Sequence, residues 1–313
     1  MIGYIVRRAG QAVIVMIGVT IITFILLHMI GNPVNVILGT HHSLANVRAL
    51  TNQLGLNKPL PQQYLIWVWN LLHFNLGFSY RQNSSVSGLL GQRLPNTLLL
   101  VGTSTVLAIV IAVPLGIMQA VRRNKPDDYV FTGFSFIFYA MPIFWLGLLL
   151  IILFSSLLNW LPPEAPQSQG NLFSQLNALI LPVAALTLVT LALFSRYMRS
   201  SMLENLVQDY VRTAKAKGVS NRAILFKHVL RNALIPVITL IGLSLPGIVA
   251  GAVITEYVFN YPGMGLLFIQ AADGDDFPVL LGVTVVVGIA TVLGSLIADI
   301  LYAVADPRIR YVS

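Results

Sequence analysis

The 313-residue sequence contains no cysteine. That excludes a disulfide framework, a cysteine-ligated metal site and a thiol nucleophile, and it leaves the redox compartment undetermined. Charge is scarce too. Asp, Glu, Lys and Arg make up 10% of the residues, against about 25% in a typical soluble domain. Nineteen basic and eleven acidic side chains cannot coat a soluble fold of this length, and 56% of the residues are hydrophobic. Much of the surface must therefore face lipid. No Gly-x-x-x-x-Gly-Lys-[Ser/Thr] loop is present to cradle phosphates, so an ATP site, if one is used, lies on another chain. No paired carboxylates or histidine-rich cluster interrupt the apolar stretches, which argues against a membrane-embedded enzyme. Metal-ligand spacing is missing as well. His41 and His42 are adjacent, but neighbouring side chains rarely converge on one ion without further ligands, and they read as a solvated loop.

What the sequence does have is a series of charge-free runs. A helix needs roughly 20 apolar residues to cross the hydrocarbon core. Long hydrophobic stretches place six spans near 9–30, 98–121, 131–157, 178–199, 233–255 and 279–303. Helices are preferred to strands because lipid forces each segment to satisfy its own backbone, and the runs lack the alternation of barrel strands. The first span begins like a signal peptide, with Arg7 and Arg8 before an apolar stretch. It is longer than a usual signal core and no small-x-small site follows Met29, so it reads as a retained anchor.

Six spans sort the basic residues. Fifteen of the nineteen fall on one side, at 7–8, 122–125, 196–231 and 308–310, and only Arg48, Lys58, Arg81 and Arg93 on the other. By the positive-inside rule both termini are cytoplasmic. The net charge of +8 thus reflects membrane topology rather than affinity for nucleic acid. The chain divides into an N-terminal span (1–30), an extracytoplasmic segment (31–97), a membrane core (98–305) and a short tail (306–313).

Within 31–97, residues 62–74 read as a helix with Tyr64, Trp67, Val68, Leu71 and Leu72 on one face, suited to the headgroup level. The cytoplasmic segment 200–232 reads as two helices around one glycine. Leu203, Leu206, Val207, Tyr210, Val211 and Ala214 repeat at helical spacing, giving a narrow apolar stripe. Gly218 suits a left-handed helix stop, and Ser220 or Asn221 can cap the next helix. On physical grounds this segment is either a basic loop lying on anionic lipid or a knob for a cytoplasmic partner.

The residues also carry a resemblance. Asp209-Tyr210-Val211-Arg212-Thr213-Ala214-Lys215-Ala216-Lys217-Gly218, with His228-Val229-Leu230-Arg231-Asn232-Ala233-Leu234-Ile235-Pro236, resembles the coupling loop of binding-protein-dependent ABC importers. More narrowly it resembles the B-type permease of dipeptide, oligopeptide and nickel transporters. Arg212-Thr213-Ala214 stands where the general motif has Glu-Ala-Ala, and His228-x-Leu230-Arg231 where it has Ile-x-Leu-Pro; this departure resembles the peptide and nickel branch. Leu54 to Leu60 with Gln63-Tyr64, Asn75 to Ser79, Arg93-Leu94-Pro95-Asn96-Thr97, Thr255 to Phe259, Tyr261-Pro262-Gly263-Met264-Gly265 and Asp306 to Arg310 are similar to further family segments. In the second of these, Phe74-Asn75 stands where Gly-Asp is usual.

The resemblance implies an all-α integral membrane protein with the type I ABC importer permease fold, in the cytoplasmic membrane of a prokaryote. It implies a translocation subunit that is not itself an enzyme and carries no cofactor, with ATP and Mg bound by two P-loop ATPase partners. A second, homologous permease and an extracytoplasmic solute-binding protein complete the expected assembly. Short peptides are the expected cargo, with a nickel complex as the alternative. By this resemblance Asp209, Arg212, Thr213, Ala214, Lys217, Gly218, His228 and Arg231 form the ATPase-coupling loop, and Gly218→Asp is expected to uncouple ATP hydrolysis from uptake. Glu256, Pro262, Gly263 and Asp276 are candidates for contact with the binding protein or the arriving substrate. A secondary transporter working alone is the rival of another class; such proteins often show internal repeats, and no clear repeat is present.

Ionisable groups at span ends are functional candidates because charge in lipid is costly. Glu256, Asp299 and His28 qualify, against the plainer reading of hydrated groups at the interface. Asp299 has Arg308 or Arg310 as an expected partner. Arg196 and Arg199 read as topology signals. Asp273, Asp275 and Asp276 read as a solvated turn, or as a contact for the binding protein.

Overall fold

The computed structural model describes residues 2–30, 34, 48, 51–52, 55–165, 172–250 and 253–305. Among the described residues, five helices are long and apolar enough to cross a membrane, and a bent pair makes a sixth span. Span one is α1 (Ile2–Ile30), followed by the amphipathic α2 (Leu60–Leu72). A two-residue hairpin, β1 (Phe78–Ser79) with β2 (Ser84–Ser85), leads into α3 (Val86–Val121). This helix starts twelve residues before the expected position 98, because the Ser85 hydroxyl accepts the Gly88 N–H (3.2 Å) and caps it. Its 36 residues give a rod of about 54 Å, well beyond the ~30 Å hydrocarbon core.

Span three departs from expectation. Instead of one helix over 131–157, α4 (Pro126–Ala140) and α5 (Ile143–Leu150, continued by a π-helical turn Ile151–Leu157) meet at 108°. Pro142 has no N–H to continue the ladder and disfavours the helical conformation in its predecessor, and Met141 is extended (φ −76°, ψ 126°). Counting charge-free residues finds the run but is blind to its direction.

α6 (Leu172–Leu206) packs along α3 as the longest helix contact. They approach closely at Gly116, where a Cβ would stand 2.6 Å from Met198 Cβ. The expected stripe over 203–214 is not one helix. α6 ends at Leu206, Gln208 is extended, and α7 (Asp209–Ala216) begins anew, which leaves Val207 66% exposed rather than on the buried stripe. Asp209 in the first turn of α7 favours this restart by facing the positive helix end. A short turn, α8 (Asn221–Ala223), runs through a π-helical segment (Ile224–Val229) into α9 (Leu230–Ala250). α10 (Val253–Val258), α11 (Met264–Asp273) and α12 (Phe277–Ala305) follow. α12 packs on α9 and α1. The faces of α1, α3 and α4 that look away from the bundle expose Val13, Ile14, Ile17, Val106, Val110, Phe134 and Ile137, as lipid-facing surfaces do.

Candidate functional site

Two constellations sit at opposite ends of α3. At one end the hairpin of α10 and α11 is fastened to the start of α3 by two adjacent residues. Asn96 Nδ2 donates to the Pro262 carbonyl (2.8 Å), and the Tyr261 hydroxyl donates back to the Asn96 carbonyl (3.0 Å). The Thr97 hydroxyl donates to Glu256 Oε1 (2.7 Å) and accepts from the Met264 N–H (2.8 Å). Glu256 Oε2 accepts the N–H groups of Gly265 (2.7 Å) and Leu266 (3.1 Å). The carboxylate thus occupies the N-terminus of α11, where first-turn N–H groups have no partner within the helix and negative charge is favoured. A Cβ on Gly263 would collide with the Glu256 carboxyl, and one on Gly265 with Val253, so only glycine lets the loop close over the acid.

This clasp corrects part of the sequence reading. Glu256 and Asp276 are 0% and 5% exposed, so neither is a hydrated interface group and neither offers its carboxylate to a docking protein or to substrate. Asp276 instead accepts a buried hydrogen bond from the Ser79 hydroxyl, which ties β1 to the start of α12. Gly263 is buried and Pro262 half-buried, while Asp273 and Asp275 are exposed and do form a solvated turn. Burial pushes the Glu256 carboxyl up from its ordinary value, and the bonds from Thr97, Leu266 and Gly265 pull against that shift. The Tyr261 phenol is pushed up to about 12, first by burial and then by the Glu256 charge.

At the other end, α7 is rooted in a core of Met198, Met202, Val211, Ala214, Ile224, Val229, Ala233 and Ala120. Its stop has two paired carbonyls. Gly218 N–H donates to Lys215 O (2.9 Å) and Val219 N–H to Ala214 O (3.2 Å), the Schellman arrangement, with Gly218 at φ +76°. Ser220 Oγ caps the following turn by accepting the Ala223 N–H (3.4 Å). Of the eight residues singled out here, Asp209, Arg212, Thr213, Lys217, Gly218 and Arg231 are exposed, His228 is half-buried, and Ala214 is part of the core. Asp209 and Arg212 face each other at 3.5 Å. The structure therefore brings together a polar outer face on a buried root.

One pair escaped the sequence reading. Asp128, 2% exposed, accepts from Arg199 Nε (2.9 Å) and Nη2 (2.8 Å), from the Asn124 N–H (3.1 Å) and from the Thr132 hydroxyl (3.3 Å). Arg199 is thus the partner of a buried acid. Arg196 lies over the rings of Phe136 (4.9 Å) and Tyr139 (4.7 Å). Asp299 pairs with Arg8 (3.0 Å); its other expected partners, Arg308 and Arg310, lie outside the described residues, as do His41 and His42 and the side chain of His28. The signals for Asp128 were its place in the first turn after Pro126 and the arginine at the end of the next span, but nothing in the sequence joins positions 71 residues apart.

Comparison with known proteins gives concordant matches. The family described as "Binding-protein-dependent transport system inner membrane component" matches residues 112–311, and its N-terminal companion matches residues 1–101. The chain is 42% identical to the oligopeptide transport system permease protein AppB of Bacillus subtilis (strain 168), covering 99% of this chain and 100% of the relative. It is 36% identical to the dipeptide transport system permease protein DppB of Escherichia coli (strain K12), covering 99% of each. Among solved structures, a chain of the inward-facing MetNI methionine ABC transporter matches with a TM-score of 0.58 at 19% identity, covering 70% of this chain and 96% of that one.

Proposed function

The chain belongs to the family of binding-protein-dependent transport system inner membrane components, and on that footing we propose that it carries short peptides inward as one half of a paired permease. It is a membrane-embedded translocation subunit, not an enzyme. The names of its full-length relatives support a peptide cargo, over a nickel complex. In this reading both termini and the 200–232 segment are cytoplasmic, in a prokaryotic cell membrane. Two ATPase subunits that bind ATP and Mg dock on α7, a second homologous permease completes the pathway, and an extracytoplasmic binding protein delivers the peptide to the clasp end.

The observation that carries the coupling role is the construction of α7. Its apolar side is buried against the ends of α6 and α9, while Asp209, Arg212, Thr213 and Lys217 face outward. A push on the polar face passes directly into two spans. The test is purification of the tagged chain in mild detergent from its native membranes, then reconstitution into liposomes. Co-purification of a second permease and P-loop ATPases, with peptide uptake that needs ATP and the binding protein, is the expected result. A chain that purifies alone and transports under an ion gradient overturns the reading.

A further inference from the structure

Span three bends between two sets of contacts at opposite ends of α6. Its first half, α4, is fastened to α6 by three contacts: Asp128 to Arg199 through two bonds of 2.9 and 2.8 Å, the Ser135 hydroxyl to Ser195 (3.3 Å), and the rings of Phe136 and Tyr139 beneath the Arg196 guanidinium. Its second half, α5, packs against α10 of the clasp and, through Leu150 and its continuation Ile151 and Phe154, against Leu181 and Ala185 in the other half of α6. Gly147 lies so close that an added Cβ would stand 3.2 Å from Val258 and from Phe259. Between the halves the chain turns by 108° at Met141–Pro142. Below the Arg199 tie, Met198 and Met202 of α6 pack with Val211 and Ala214 of α7.

We infer that Asp128 and Arg199 are positioning residues for transport: their paired side chains make α4 follow displacements of α7, and the Met141–Pro142 elbow lets α4 turn relative to α5, which is held at the clasp end of α6. The inference rests on the reading of α7 as the coupling helix. A bidentate pair fixes orientation as well as distance, and this one is closed to solvent on the acid side, unlike surface ion pairs that solvent weakens. The two further donors to Asp128, Thr132 of α4 and the Asn124 N–H of the turn that leads into it, fix the carboxylate to the start of α4, so a pull on Arg199 is a pull on that helix. The elbow is a suitable joint because the missing N–H of Pro142 has already interrupted the ladder there.

The experiment uses the assembled importer, with its ATPases and binding protein, in proteoliposomes, and measures ATP hydrolysed per labelled alanine tripeptide taken up. In D128N/R199Q both charges go together, so none is stranded in the interior. The expected result is normal assembly, an ATPase rate within about twofold of wild type and roughly tenfold more ATP per peptide. Should that variant fail to assemble, R199K makes the same comparison, since lysine keeps the charge but loses the fork. Because the chain has no cysteine, S135C/S195C can then be added to re-tie α4 to α6. The hydroxyls there face each other at 3.3 Å, so the two side chains point toward one another as a disulfide requires. Oxidation is expected to bring the ratio back toward wild type, and reduction to undo it. A wild-type ratio in the untied variant, or a verified crosslink that restores nothing, overturns the inference. G218D separates the two ideas. If it raises the ratio and loss of the tie does not, α7 couples but the tie is only structural. If G218D leaves the ratio unchanged, the coupling reading itself fails.

Discussion

Thr97 serves two partners with one hydroxyl, donating to Glu256 and accepting from Met264. Thr97→Val keeps the shape and removes both bonds, leaving a buried carboxylate oxygen and a buried N–H short of a partner, at about 1–3 kcal/mol each. Purified Thr97→Val complex is expected to unfold at a clearly lower temperature in scanning calorimetry, with Thr97→Ser close to wild type; equal midpoints for all three would deny the clasp its role. Two glycines make a second contrast. At Gly263 an added methyl meets the Glu256 carboxyl, whereas at Gly218 it meets nothing within 4 Å and only the positive φ opposes it. Gly263→Ala is therefore expected to abolish stable insertion. Gly218→Ala should cost only about 1 kcal/mol and leave expression intact, as membrane yields of the two variants will show. Tyr261 adds a pH dependence. Its phenol is raised from 10.0 to about 12, so the neutral form is the one the fold prefers. That contribution is complete below pH 10 and is lost as pH climbs through 12. The difference in alkaline absorbance titration between wild type and Tyr261→Phe should show the missing phenol ionising near 12; a difference centred at the ordinary value would contradict the burial.

Among the elements, those whose signal is local were legible. The Tyr64, Trp67 and Leu71 spacing foretold α2, and Gly218 and Ser220 foretold both ends of the turn after α7. The sequence of α2 suits the interface, and the helix is pinned to span one by the Tyr64–Thr20 hydroxyl pair (2.9 Å) and by Phe24 against Tyr64 and Trp67. Its other face exposes Leu65, Ile66, Trp69 and Leu72. In a variant that keeps Trp69 and has phenylalanine at the other three tryptophans, Trp67, Trp145 and Trp160, lipids brominated just below the headgroup should quench the fluorescence strongly, and an aqueous quencher weakly; the reverse order would place α2 in water. What the sequence did not disclose depends on partners far along the chain. Glu256 read as an interface group because the residues that bury it, Thr97 and Gly265, are recognisable as motifs but not as its donors. The elbow at Pro142 was hidden for a different reason: the apolar run continues unbroken across it, and hydropathy carries no information about angle. The break at Val207–Gln208 was hidden by a periodicity that simply carries across it.

On the scale of the whole molecule, α3 touches both constellations, with Asn96 and Thr97 in the clasp and Ala120 in the core beneath α7. Its close seam with α6 at Gly116 makes these two helices a strut. A larger residue there must push Met198 away, and Met198 belongs to the root of α7. Gly116→Val is therefore expected to lower peptide-stimulated ATPase activity several-fold, by roughly 1–2 kcal/mol of coupling, although position 116 is remote from the exposed face of α7. An unaltered stimulation would mean that the root tolerates displacement of Met198.

Three consecutive amides at the start of α11, those of Met264, Gly265 and Leu266, donate to the side chains of Thr97 and Glu256 rather than to the helix ladder. The Met264 proton can be traded for deuterium only when the hairpin lifts off Thr97 of α3, and those of Gly265 and Leu266 only when the Glu256 carboxylate lets go. The molecule thus carries its own clock at the clasp. Deuterium uptake at these amides, followed in resting and ATP-driven importer, would count how often that end opens in a transport cycle, with no label attached to the chain.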